Sequence, residues 1–292
     1  MNLLNLDNKD QHTMLSFCIS TYNNLEYLKI AVKSVRTNSY FKDAPFIIHA
    51  ENCTDGTNEW LREAKKLHNI DYVIDINDNP KGIGGGMNFC ADLVKTQYIM
   101  FLHSDFYVTK DWDLELLKIF DKYPNEKLWV NSWRVEPAMF PGSQTTPGNI
   151  VVEKDLFGEY YHNFDSEFFD AWAKDFSEMN NDIEIPRGLG VSCLIRKTDW
   201  DDIGGNDPLF APTSWDDHDL FLRMYQAGFK FITTSNSLIY HFGARGSHRL
   251  EENNNQSSER QRAAEQRNAL KFYEKWGGLP KFDEYGQIIG LQ

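Results

Sequence analysis

Four short apolar runs, MLSFCIS, APFIIHAE, IDYVIDIN and YIMFLHSDFYV, recur at close intervals from residue 14 to residue 108. Stretches of helical period separate them. Leu25, Leu28, Ile30, Ala31, Val32 and Val35 fall on one helical face, with Asn23 or Asn24 placed to cap it. Trp60, Leu61, Ala64 and Leu67 do the same in a second stretch, and MNFCADLVKT reads as a third helix after the turn-rich DNPKGIGGG. A strand-helix alternation of this kind folds as an α/β protein with a Rossmann-like, mostly parallel central sheet flanked by helices. Ligands of such sheets bind at the carboxyl ends of the strands.

The rhythm breaks near residue 131. NSWRVEPAMFPGSQTTPGN reads as a long loop, and the aromatic-dense EYYHNFDSEFFDAWAKDFSEMNND as a helical insertion beside the site. GVSCLIRKTDWDDIGG resumes strand and helix. SWDDHDLFLRMYQAGF is a helix with Leu220, Phe221, Met224 and Tyr225 on one face and Gly228 at its end. FITTSNSLIYHFGARGSH is strand and loop, EENNNQSSERQRAAEQ a flexible loop or exposed helix start, and RNALKFYEKWGG a closing helix.

The totals exclude several classes. A formal net charge of -13 argues against a surface built for DNA or RNA, which needs a face rich in Lys and Arg. Cys18, Cys53, Cys90 and Cys193 are widely spaced and form no CxxC pair, as expected of reduced thiols. The opening MNLLNLDNKDQHT lacks a basic start and a long apolar run, and no segment has transmembrane length, so a cytoplasmic protein is expected. The aromatic share of 14%, with 8 Trp, hints at a flat-faced ligand such as a carbohydrate, although core packing accounts for most such rings.

Three constellations carry candidate chemistry. GIGGGM (82–87) lacks the GxGxxG register of dinucleotide-binding folds, and its glycines suit a turn where backbone lies close to a ligand. Asp105 ends a buried strand, where a carboxylate is costly unless it meets a cation or hydrogen-bond donors. His103 and His241 end similar apolar runs. With Asp105 they have the chemistry of an octahedral Mn2+ or Mg2+ site completed by phosphate oxygens. WDDHD places Asp216, Asp217 and Asp219 in the first turn of a helix, as simple capping or as a carboxylate cluster holding a general base.

In order along the chain, LSFCISTYNN, ENCTDGTNEWL, NDNPKGIGGGMN, FLHSDFYV, IGGNDPLF, WDDHDLFLRMYQAGF and YHFGARGS resemble the family 2 glycosyltransferases and their wider GT-A nucleotide-sugar fold. The likeness runs from about residue 14 to residue 248. It implies one domain over 1–292: a nucleotide-sugar-binding half (14–130), an acceptor and catalytic half with an acceptor-side insertion (131–248), and a C-terminal helical extension (249–292). Thr21 and Tyr22 resemble the wall of the donor-base pocket, and Glu51 stands where the family usually has an Asp contacting base or ribose. Asn79, Gly82, Gly84 and Asn88 resemble the loop and helix start over the nucleotide. His103-Ser104-Asp105 matches the Asp-x-Asp metal motif with its first acid replaced, leaving Asp105 and His241 as metal ligands for Mn2+ or Mg2+ and His103 and Ser104 on the donor. Asp217 matches the catalytic base, with Trp215 and Asp216 beside the acceptor.

The resemblance therefore implies an inverting, metal-dependent transferase. It would move a sugar from a nucleoside-diphosphate donor, UDP- or GDP-linked, to an acceptor hydroxyl. Two alternatives compete. A non-catalytic relative that binds sugar nucleotide or glycan is suggested by the altered HSD motif, and a nucleotidyltransferase on a similar sheet would release pyrophosphate.

Overall fold

The structure, a computed structural model, describes residues 13–140, 142–190, 192–245 and 256–292. In chain order the elements are β1 (Leu15–Thr21), α1 (Leu25–Asn38), β2 (Phe46–Glu51), α2 (Thr57–His68), β3 (Ile70–Asp75), α3 (Gly82–Leu93), β4 (Tyr98–His103) and β5 (Phe106–Val108). There follow α4 (Trp112–Lys122), β6 (Leu128–Pro137), β7 (Asn149–Val152), α5 (Ser166–Met179), β8 (Glu184–Ile185), β9 (Cys193–Arg196) and α6 (Lys197–Ile203). The last are α7 (Asp216–Gln226), β10 (Lys230–His241), α8 (Glu259–Trp276), β11 (Pro280–Phe282) and β12 (Ile288–Leu291).

Ten strands form one sheet in the order β3-β2-β1-β4-β9-β6-β10-β5, with β7 added to β6 and β8 to β10. The β3-β2-β1-β4 portion is parallel. β9 runs antiparallel between β4 and β6, β6 and β10 are parallel, and β5 returns antiparallel on β10. The apolar runs alternate between two cores, as strands covered on both faces must. Leu15, Phe17 and Ile19 of β1 and Met100 and Leu102 of β4 face one core with α1, α2 and α4. Cys18, Ile99 and Phe101 face the other, with α3, α7 and α8.

A third, aromatic core joins Tyr107, Phe157, Phe169, Tyr240 and Phe242 under α5. The insertion expected in this region is therefore helical only from Ser166, and Trp172 lies inside this packing, stacked on Phe169 and Phe176.

Four local expectations are corrected. The supposed loop from residue 131 begins as strand, β6 running on to Pro137 before the chain leaves the sheet, because Asn131, Ser132 and Glu136 find partners in Ser192, Ser237 and Asn149. The glycines of GIGGGM are already helical, opening α3 instead of preceding it. Leu67 is exposed, since the last turn of α2 passes the edge strand β3. Asn24 occupies the α1 N-cap position with positive φ but makes no side-chain cap. Asp55 caps instead, accepting from Leu25 N at 2.9 Å. The C-terminal extension is α8 followed by the β11–β12 hairpin, while residues 249–255 lie outside the described region. Among the described residues no helix is long and apolar enough to cross a membrane.

Candidate active site

The carboxyl ends of β1, β2, β3 and β4 open on one crevice. Thr21 is buried, its hydroxyl donating to Asn23 O at 2.8 Å, while the neighbouring Tyr22 is exposed. Glu51 ends β2 and is buried, and its carboxylate is taken up by protein. Oε1 accepts from Lys81 N (2.7 Å) and Asn77 Nδ2 (3.3 Å), and Oε2 accepts from Gly82 N (2.8 Å). Glu51 thus caps α3, satisfying amide groups that no intrahelical partner reaches. Asn79 is exposed on the loop before it.

Two of the α3 glycines face protein. A Cβ on Gly82, whose φ is +68°, would lie 1.4 Å from Pro212 O, and one on Gly84 would lie 3.0 Å from Asp216 Oδ2. Only glycine lets the segment leading into α7 rest on the start of α3. Asn88 also points into protein, exchanging two 2.8 Å hydrogen bonds with the backbone of Asn206.

Where β4 gives way to β5, a two-residue turn brings His103 and Asp105 against the end of β10. Ser104 is buried there and accepts from Asn24 Nδ2 at 3.2 Å. Ligand atoms of His103, Asp105 and His241 lie within 4.8 Å of one another, the one such acid-imidazole group among the described residues. The Asp105 carboxylate is buried. It accepts from Arg245 N at 2.9 Å and lies 3.4 Å from His241 Nε2. Burial pushes its pKa up, yet His241, His103 and the Arg245 amide outweigh this and hold it well below the usual carboxylate range.

Burial lowers the His103 pKa to about 4, so its imidazole is neutral and its lone pair is available to a cation. Burial acts the same way on His241, but Asp105 and Glu136 overcome it and raise the pKa above normal. One hard carboxylate oxygen and two imidazoles at this spacing fit a divalent cation such as Mn2+ or Mg2+. The Ala244 amide, 3.1 Å from His241 Nε2, has to yield to it.

Across the crevice stands the start of α7. Trp215 holds a positive φ and packs on His218 and Phe272 at ring separations of 4.9 and 5.3 Å. Asp216 is half-buried. Burial and then the adjacent Asp217 push its pKa up to about 7. The Asp217 side chain is 55% exposed, and its Oδ1 accepts from His218 N and meets His218 Nδ1, both at 2.8 Å. Desolvation works to raise the Asp217 pKa, but the His218 contacts win and it lies below normal. The charge of Asp217 acts to raise the His103 pKa, so the acid pair lies within electrostatic reach of the imidazole-carboxylate group. The third acid, Asp219, is fully buried and structural: Arg223, Lys275 and Trp276 all bind it.

Sequence reasoning missed Glu136, Arg134, Asn149 and Arg245, which surround His241 and Asp105. The available signal is Glu136 in NSWRVEP, at the start of the stretch from residue 131 that reads as a long loop.

Known proteins resemble this chain in sequence or in fold. Over 101 residues the chain is 32% identical to abequosyltransferase RfbV of Salmonella typhimurium, a match spanning 34% of this chain and 30% of that protein. Its fold resembles S. aureus TarS (TM-score 0.54, 13% identity, 80% of this chain and 37% of that one). TarS residues 1–349 in complex with UDP-GlcNAc give a TM-score of 0.52 at 14% identity, over 78% of this chain and 58% of that one. GalNAc-T7 with UDP, GalNAc and Mn2+ gives 0.58 at 16% identity, over 80% and 44%. This chain thus spans well under two thirds of the length of each of these relatives. These folds are GT-A glycosyltransferase folds, and the match to the Glycosyl transferase family 2 covers residues 16–175, more than half of the sequence. The chain therefore belongs to that family.

Proposed function

We propose that the protein is an inverting glycosyltransferase. It moves a sugar from a nucleoside-diphosphate donor, UDP-linked in the first instance, to an acceptor hydroxyl. The observation that carries the reading is the gathering of His103, Asp105 and His241 within 4.8 Å at the carboxyl end of the sheet. The UDP, UDP-GlcNAc and Mn2+ in the TarS and GalNAc-T7 structures support the donor class and the cation.

In this reading the donor lies along the crevice from Thr21, Tyr22, Glu51 and Asn79 to the start of α3 at Gly82, Gly84 and Asn88. His103 and Ser104 face its ribose and diphosphate. His103, Asp105 and His241 would hold a divalent cation, which would supply positive charge beside the leaving diphosphate. Trp215 and Asp216 flank the acceptor. Asp217, exposed at the cleft with Oδ1 held by His218, takes the acceptor proton on Oδ2. The acceptor oxygen bonds the anomeric carbon as its bond to the diphosphate oxygen breaks, and that electron pair leaves with the nucleotide. A single in-line displacement inverts the anomeric centre.

The test is turnover of a panel of nucleotide sugars with and without Mn2+, by wild type and Asp105→Ala. Mn2+-dependent release of nucleoside diphosphate, lost in the variant, is the expected result. Binding without turnover points to a non-catalytic relative, and release of pyrophosphate to a nucleotidyltransferase.

A further inference from the structure

We infer that Glu136 is a positioning residue for the cation site, holding the His241 ring so that Nε2 faces Asp105. The inference rests on the proposal that His103, Asp105 and His241 are the cation ligands.

The backbone brings the two side chains together. β6 and β10 are parallel, with Val135 beside Tyr240, so Glu136 and His241 are the next neighbours along the ladder. Val135 and Tyr240 face the aromatic core, and side chains alternate along a strand, so Glu136 and His241 share the opposite face. β6 and β10 both lie inside the sheet.

Glu136 is almost fully buried, where an apolar side chain is the cheaper occupant. Its Oε1 accepts from Asn149 Nδ2 at 2.8 Å, and its Oε2 lies 2.8 Å from His241 Nδ1. Arg134 is an ion-pair partner of Glu136, its Nε 3.4 Å from Oε2, and helps hold the carboxylate ionised, but its shorter contact, 2.8 Å, is with Asn149 Oδ1. The nearest group to Oε2 among these is the His241 imidazole, at 2.8 Å. An Nδ1–H donated to a carboxylate leaves the Nε2 lone pair as the ring's free donor, fixes the ring orientation and strengthens that lone pair. Here Nε2 lies 3.4 Å from Asp105 Oδ2 and accepts from Ala244 N at 3.1 Å, a bond that a cation would displace.

The test titrates Mn2+ into the full chain, with and without UDP, and reads free Mn2+ by electron paramagnetic resonance. Wild type, Asp105→Ala, Glu136→Gln and Glu136→Leu are compared, and unfolding midpoints without metal report folding. Wild type is expected to bind and Asp105→Ala to lose binding. Glu136→Leu is expected to bind about 10- to 100-fold more weakly. Glu136→Gln recovers part of this, since its amide oxygen still accepts the Nδ1–H. If both Glu136 variants fold and bind within about two-fold of wild type while Asp105→Ala does not bind, Glu136 is only a charge partner in the sheet. If the Leu variant does not fold, the near-isosteric Gln variant decides: unchanged affinity overturns the inference. Wild type that binds no Mn2+ removes the ligand assignment itself, and the role of Glu136 with it.

Discussion

Asp217 and Asp216 sit side by side, yet their surroundings separate their roles. His218 holds the Asp217 carboxylate ionised, while burial and the neighbouring charge keep a proton on Asp216 up to about pH 7. In Asp217→Asn an amide that cannot take a proton replaces the base, so transfer is expected to fall about 10²–10⁴-fold with donor and Mn2+ affinity intact. Retention of more than about a tenth of the activity in a single-turnover assay would assign the base elsewhere. Asp216 gives a pH signature. Its loss of a proton near pH 7 adds a negative charge beside Asp217 and makes it the stronger base, so kcat should rise through that range. Asp216→Asn flattens the rise. Stability moves the opposite way, because the folded state holds this proton more tightly than the unfolded chain. The Asp216 contribution is complete below about pH 4 and is lost as pH rises to about 7. Denaturant midpoints across that window, wild type against Asp216→Asn, report it.

At the scale of elements, the contact between α3 and the segment before α7 controls where those acids sit. Gly82→Ala forces a side chain into left-handed backbone, at a cost of about 1 kcal/mol, and drives a methyl into Pro212 O. The expected result is a lower unfolding midpoint and a loss of transfer larger than the loss of donor binding, followed by calorimetry and turnover. Trp172→Ala is expected to differ. The ring stacks within the aromatic core under α5, so its removal should cost about 3 kcal/mol of stability and leave donor affinity unchanged below the melting range. Weakened donor binding in a fully folded Trp172 variant would contradict that placement. These elements also show what a sequence reveals. β1 to β4 were legible because runs such as FCI and IMFL leave no polar side chain to satisfy. β6 was not, since Asn131, Ser132 and Glu136 look like loop residues until their distant partners Ser192, Ser237 and His241 are in place. Asp105 and His241 stood out as polar groups ending apolar strands. The burial of the Glu51 carboxylate against the α3 amides did not, because backbone amides leave no trace in a side-chain pattern.

Over the whole molecule, the C-terminal helix is built in behind the start of α7. Asn268 on α8 donates to the carbonyls of Phe210, Thr213 and Ser214, and Lys275 and Trp276 reach Asp219 on α7. The segment carrying Trp215, Asp216 and Asp217 is therefore gripped from behind by α8 and supported in front by Gly82 and Gly84 of α3. Support shared in this way has a kinetic meaning. If a nucleotide sugar seats on the α3 end as proposed, it also fixes the floor beneath the acid pair, and the acceptor then meets a finished surface only after the donor has bound. Turnover should then follow a compulsory order, with the nucleoside diphosphate the last product to leave. Initial-rate studies should show that product competing with the donor but inhibiting noncompetitively against the acceptor. A random-order pattern would mean that the backbone contact at Gly82 transmits nothing between the two substrates.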